Sequence, residues 1–187
     1  MMMSATTLNQ SYRSQEYLAF AETARERYEY SDREIRLMPS GTPNHKSISG
    51  NFLFLLKLAL RSQPYKIFPV NQRLWISAKN IYTYPDLIVT HQPIKLKSDR
   101  IDTVINPWLI AEVRSKSTRN YDYGEKFPAY GTMGRLQDYL LMDKYQIQID
   151  HCTKPSQSQW LLTVYNASDL NSISRCVGYS DQNRGYL

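Results

Sequence analysis

Two apolar runs in this chain each carry one embedded carboxylate: Tyr84-Pro85-Asp86-Leu87-Ile88-Val89 and Trp108-Leu109-Ile110-Ala111-Glu112-Val113-Arg114. Both read as buried strands, where an ionised carboxylate is costly unless a cation or metal compensates it. Asp86 opens its strand and Glu112 sits near the end of its own. If the two strands run antiparallel, the start of one lies beside the end of the other and the acids meet. Arg114, two residues past Glu112, shares its face by strand periodicity. Two converging acids with a cation beside them point to a magnesium site for phosphate-ester hydrolysis.

The remaining totals bound the class. A chain of 187 residues, 42% apolar and 21% charged, is expected to form one soluble domain with a full core. A formal charge of +6 serves either solubility or an electrostatic footprint for nucleic acid. Cys152 and Cys176 have neither metal-ligand spacing nor a disulfide framework, which fits a reduced, cytoplasmic setting. The opening Met1-Met2-Met3-Ser4 lacks the basic start and apolar core of a signal peptide. The most apolar stretch, Phe52 to Leu56, is followed by Lys57 and is far too short to span a bilayer, so no membrane partner is expected.

Along the chain, residues 1–10 read as a loose N-terminus, 11–166 as a single domain and 167–187 as a polar tail with little pattern. Ser11 to Ala24 has the texture of an amphipathic helix. Arg27–Tyr30 and Glu34–Met38 alternate around Ser31-Asp32-Arg33, as in a hairpin. Thr42 or Asn44 caps a helix reaching about Ser62 that buries Ile48, Phe52, Leu55, Leu56 and Leu60. Short strands at 66–68 and 73–76 precede the two carboxylate runs, and Lys95, Lys97 and Arg100 make the loop between those runs basic. Ser117 or Thr118 caps a helix from Arg119 to about Tyr130, and strands at 137–143, 145–151 and 159–165 close the domain. The fold class is α+β (mixed α/β), with one central sheet flanked by helices.

Phosphodiester hydrolysis requires neutralised phosphate charge and a hydroxide-like nucleophile near neutral pH. Magnesium, or manganese in its place, supplies both when carboxylates hold it. Asp86 and Glu112 are the natural ligands, with the Val113 backbone carbonyl completing the shell. Arg114 is placed to stabilise the transition state, but its guanidinium does not act as a base. Lys126, one turn past Asp122, is the alternative cation; the plainer reading makes Asp122 and Lys126 an exposed helical pair. Plainer readings accompany the others too. Asp86 after Pro85 serves as a turn acid, Glu112 pairs with Arg114 or Lys126, and Glu29 is either a third site carboxylate or an exposed strand acid. His45 contacts phosphate or metal, or only caps a helix. Tyr82, Tyr84, Tyr121 and Tyr123 stack on bases or simply reflect the tyrosine content of sheets.

The strings Tyr82-Thr83-Tyr84-Pro85-Asp86-Leu87-Ile88-Val89 and Asn106-Pro107-Trp108-Leu109-Ile110-Ala111-Glu112-Val113 resemble the Uma-two family of restriction-endonuclease-like proteins. So do residues 115–127, Leu136 to Asp143, the early Arg27-Tyr28-Glu29-Tyr30, and His45 before a leucine-rich helix. The matches run in order from about residue 12 to 165. The resemblance implies a PD-(D/E)XK nuclease-like fold with its acids on a central antiparallel pair, magnesium-dependent cleavage of DNA, and a homodimer. By position it implies Asp86 and Glu112 as metal ligands. Arg114 stands where the wider superfamily has lysine, and Lys126 resembles a migrated substitute. Arg33 departs from the family's usual turn glycine, and Pro128, Gly131-Thr132-Met133-Gly134 and the last twenty or so residues also depart from its pattern. Two other readings stand beside endonuclease: a decayed nuclease fold that binds nucleic acid or a partner without cleaving, and a two-carboxylate sugar hydrolase, disfavoured by the cationic neighbours.

Overall fold

The computed structural model of the chain describes residues 11–38, 40–114, 122–157 and 159–169. The expectations for residues 1–10, for a helix cap at Ser117 or Thr118 and for most of the tail lie outside them. The described elements are α1 (Ser14–Thr23), β1 (Tyr28–Ser31), β2 (Glu34–Leu37), α2 (Pro43–Ala59), β3 (Tyr65–Pro69), β4 (Arg73–Ile76), β5 (Ile81–Thr83), β6 (Leu87–His91), β7 (Thr103–Val104), β8 (Pro107–Arg114), α3 (Phe127–Gly131), β9 (Asp138–Asp143), β10 (Gln148–Ser156) and β11 (Gln159–Asn166).

The α+β class holds, but the strands divide into two sheets rather than one. Five follow the order β2-β1-β5-β4-β7, and six follow β11-β10-β9-β8-β6-β3. Both sheets are mixed: β8 runs parallel to β9 and β4 parallel to β7, while the other pairs are antiparallel. The division begins at Pro85. A strand over Tyr84–Val89 is not continuous: β5 ends at Thr83 in one sheet and β6 begins at Leu87 in the other. Proline offers no N–H to a ladder, so Tyr84-Pro85-Asp86 is where the chain passes between sheets.

The central strands of the six-stranded sheet, β6, β8 and β9, are covered on both faces, which accounts for their nearly uninterrupted apolar runs, whereas the outer strand β11 is largely exposed. Leu87, Val89, Leu109, Ala111 and Val113 pack with Phe52, Leu56 and Leu60 of the α2 segment. Ile88, Ile110, Tyr139 and Leu141 point the other way, against Leu74 and Ile76 of β4 and Ala129 and Tyr130 of α3. Thr42 caps α2 by accepting from the His45 N–H, and Pro43 occupies the first turn. Leu55 departs from expectation: it is 45% exposed, because it falls at the margin of the Phe52–Leu56–Ala59 stripe.

The hairpin joins β1 to β2 through Asp32 and Arg33, with φ of 48° and 66°. Both lie in the left-handed region that a two-residue hairpin turn requires, which gives the physical reason a glycine suits the Arg33 position. Period-two alternation then splits β1. Tyr30 packs with Tyr17 of α1 and Tyr82 of β5, while neighbouring Glu29 is buried on the opposite face.

The basic loop between β6 and β8 is partly neutralised. Arg100 pairs with Glu22 at 2.6 Å and with Asp102 at 2.8 Å, and Arg73 reaches Asp102 at 2.9 Å. Hydrogen bonding from Arg100 is the main cause that holds the Asp102 carboxyl down at about 2, against some burial. Because the folded value lies below the ordinary 3.8, this stability is present above pH 4 and lost as pH falls toward 2. Asp102 is substantially exposed, so the expected contribution is about 1 kcal/mol. Urea titrations at stepped pH should show Asp102→Asn flattening the wild-type decline between pH 4 and 2; an unchanged decline refutes this account.

No helix among the described residues is long and apolar enough to cross a membrane.

Candidate active site

Register brings the two acids together. Leu87 of β6 lies opposite Ala111 of β8, and one step outward from that pair stand Asp86 and Glu112. The Asp86 N–H donates to Glu112 Oε2 at 3.3 Å. Asp86 Oδ2 accepts the Val113 N–H at 2.8 Å and meets His45 Nε2 at 2.9 Å. Its other oxygen, Oδ1, accepts no hydrogen bond among the described residues. In an antiparallel ladder a residue's N–H and C=O face the same neighbour, so the Val113 carbonyl points toward the end of β6 where Asp86 stands.

Glu112 turns its Oε1 the other way. There it accepts from the Tyr130 hydroxyl at 3.0 Å and meets Lys126 Nζ at 3.3 Å. Lys126 also lies 3.0 Å from Glu29 Oε1, which accepts in turn from the Thr83 hydroxyl. Glu29, Glu112 and Lys126 are all buried, so these charges interact strongly and are weakly screened. Burial, reinforced by the Glu112 charge, pushes the Tyr130 phenol well above its ordinary range, so it stays a protonated donor.

Local structure explains how Lys126 arrives here. Asp122–Lys126 forms a π-helical turn that runs into α3. Phe127 stacks on Tyr139 of β9 at 5.5 Å and Tyr130 tilts against the same ring at 5.2 Å, which seats α3 on the sheet. Lys126 and Tyr130, one turn apart, then face Glu112 together. The exposed-pair reading of Lys126 is not what the fold displays: the lysine is buried against two acids, and the Asp122 side chain lies outside the described set.

The structure thus assembles Asp86, Glu112, Val113, Lys126, Glu29 and His45. It does not bring Arg114 to them. Arg114 shares the Glu112 face, but its guanidinium extends across β9, with Nη2 3.0 Å from Asp150 and Nε 3.7 Å from Asp143. Tyr82 and Tyr84 are buried too deeply to stack on a base, while the side chains of Tyr121 and Tyr123 lie outside the described residues. Sequence reasoning missed Thr83 and Tyr130. The only signal for Tyr130 was its position four residues after Lys126.

Among the described residues, no three His, Cys, Asp or Glu side chains gather as a ready cation shell. The donor chemistry nonetheless fits a small hard cation. Magnesium needs few protein ligands, keeps several waters and prefers oxygen. Asp86 Oδ1, Glu112 Oε2 and the Val113 carbonyl are such oxygens, while Lys126 faces Glu29 and Glu112 and His45 faces Asp86.

A family model described as "Putative restriction endonuclease", Uma2, matches residues 14–180. The uncharacterized protein sll1609 of Synechocystis is 37% identical over 163 residues, covering 87% of this chain and 91% of that protein. A second uncharacterized Synechocystis protein, slr1290, is 37% identical over 155 residues, covering 83% and 80%. In three dimensions the chain resembles a crystal structure from Anabaena variabilis described as a putative nuclease belonging to DUF820. The TM-score is 0.61 at 16% identity, with 83% of this chain and 85% of that one covered, a likeness of fold. With the family model spanning most of the chain and the fold agreeing, this chain belongs to the Uma2 family.

Proposed function

We propose that the chain is a magnesium-dependent endonuclease that hydrolyses phosphodiester bonds of DNA, acting as a cytoplasmic homodimer. The supporting observation is the two-sided use of Glu112: one oxygen faces Asp86 while the other faces Lys126 and Tyr130. Asp86, Glu112 and the Val113 carbonyl would hold the ion. When bound, it polarises the phosphoryl oxygen and acidifies water.

The remaining work belongs to the side chains. His45 and the Val113 N–H fix Asp86 Oδ2, which leaves Oδ1 without a hydrogen bond among the described residues. Glu29, steadied by Thr83, holds Lys126 so that its ammonium stabilises negative charge developing on the phosphate. Lys126 takes this role rather than Arg114, whose charge is engaged by Asp143 and Asp150. The net charge of +6 favours encounter with a polyanion, with affinity falling as salt rises.

Nicking of supercoiled plasmid tests the proposal. Cleavage should require Mg2+ or Mn2+, vanish in Asp86→Ala, and fall by about a hundredfold or more in Lys126→Ala. Cleavage that persists in Asp86→Ala, or without divalent ions, rejects it.

A further inference from the structure

The ammonium of Lys126 is surrounded as a bound cation would be. Nζ lies 3.0 Å from Glu29 Oε1 and 3.3 Å from Glu112 Oε1. Those same oxygens accept the hydroxyls of Thr83 and Tyr130. Two carboxylate oxygens, from β1 and β8, therefore converge on one buried cation, each steadied by a hydroxyl from β5 or α3. Such a donor set is the kind that holds magnesium, manganese or calcium.

Glu112 is also placed like a bridging ligand. Phosphate-ester hydrolysis by paired ions sets them about 3.5–4 Å apart, a separation that one carboxylate spans with its two oxygens. Here Oε2 faces the Asp86 end and Oε1 faces Lys126. We infer that the site takes a single divalent cation, between Asp86 and Glu112, and that the Lys126 ammonium fills the place a second one would occupy between Glu112 and Glu29. This rests on the reading of Asp86 and Glu112 as metal ligands.

The physical reason is exclusion by a tethered charge. A second dication within about 3 Å of an ammonium in a buried site meets strong repulsion, weakly screened by water. A covalently held cation does not diffuse away, so a second dication must displace it against that repulsion. Removing the ammonium while keeping both acids should convert that spot into a metal site.

Manganese titration of the full chain tests this, with calorimetry for stoichiometry and electron paramagnetic resonance for pairing of the spins. Wild type should bind one Mn2+ and give the spectrum of an isolated ion. Lys126→Ala should bind two, with the broadened spectrum of an exchange-coupled pair, and the added Glu29→Gln change should return the count to one. Two ions in wild type, or one in Lys126→Ala folded by circular dichroism, overturns the inference. Glu29→Gln alone gives an independent check that does not need Lys126→Ala to fold. It should keep the single wild-type ion with affinity changed by about threefold or less, and loss of that ion overturns the inference. Failure of the underlying reading looks different: no manganese bound by wild type, or a wild-type ion that survives Asp86→Asn.

Discussion

Arg114→Met is expected to lower unfolding free energy by about 3–5 kcal/mol, the cost of breaking a buried ion pair by removing one partner. Arg114 is only 2% exposed and Asp150 only 3%, so the pair is shut away from water. With the guanidinium gone, the negative charges of Asp150 and Asp143 lose the cation that faces them at 3.0 and 3.7 Å. The amide of Gln148, which donates to Asp150 at 2.7 Å, offsets only part of that loss. Urea unfolding at pH 7 measures the effect. The double variant Arg114→Met with Asp150→Leu should regain most of the loss, since it removes the more buried stranded charge and leaves only Asp143, which is 18% exposed. A loss under about 1 kcal/mol would place Arg114 among ordinary exposed pairs instead.

How much of this was legible depends on which forces act locally. Asp86 and Glu112 stood out because an acid within an apolar run is expensive, and the register of β6 with β8 confirms their adjacency. The face of Arg114 was legible as well, since side chains alternate along a strand. Its direction across the sheet was not. Asp143 and Asp150 lie on β9 and β10, and nothing near Arg114 in sequence announces them. The same limit applies to the two sheets: Pro85 marks a break, but which strands pair on either side depends on contacts far apart in the chain. Glu29 was ambiguous as an isolated strand acid. It gains its place only when β1 and β5 pair and set it beside Thr83, opposite the aromatic face of Tyr30 and Tyr82.

If the chain cleaves DNA as proposed, Glu112→Gln should reduce cleavage by about a thousandfold or more, because this one carboxylate would organise the electrostatics that stabilise charge developing at the phosphate. The exchange is nearly isosteric. The amide oxygen can still accept from Tyr130, which stands 3.0 Å away, and Lys126 keeps Glu29 at 3.0 Å. Oε2 becomes an NH2 that cannot accept the Asp86 N–H, so that 3.3 Å hydrogen bond is lost and the structural cost should be about 1–3 kcal/mol. A large kinetic loss beside a small stability loss is what separates a working acid from a structural ion-pair partner. Two measurements on the same preparation decide it: plasmid nicking with Mg2+, and the urea midpoint without it. If Glu112 only balances the charge of Lys126, the order reverses: stability falls, and cleavage by the folded fraction is unchanged.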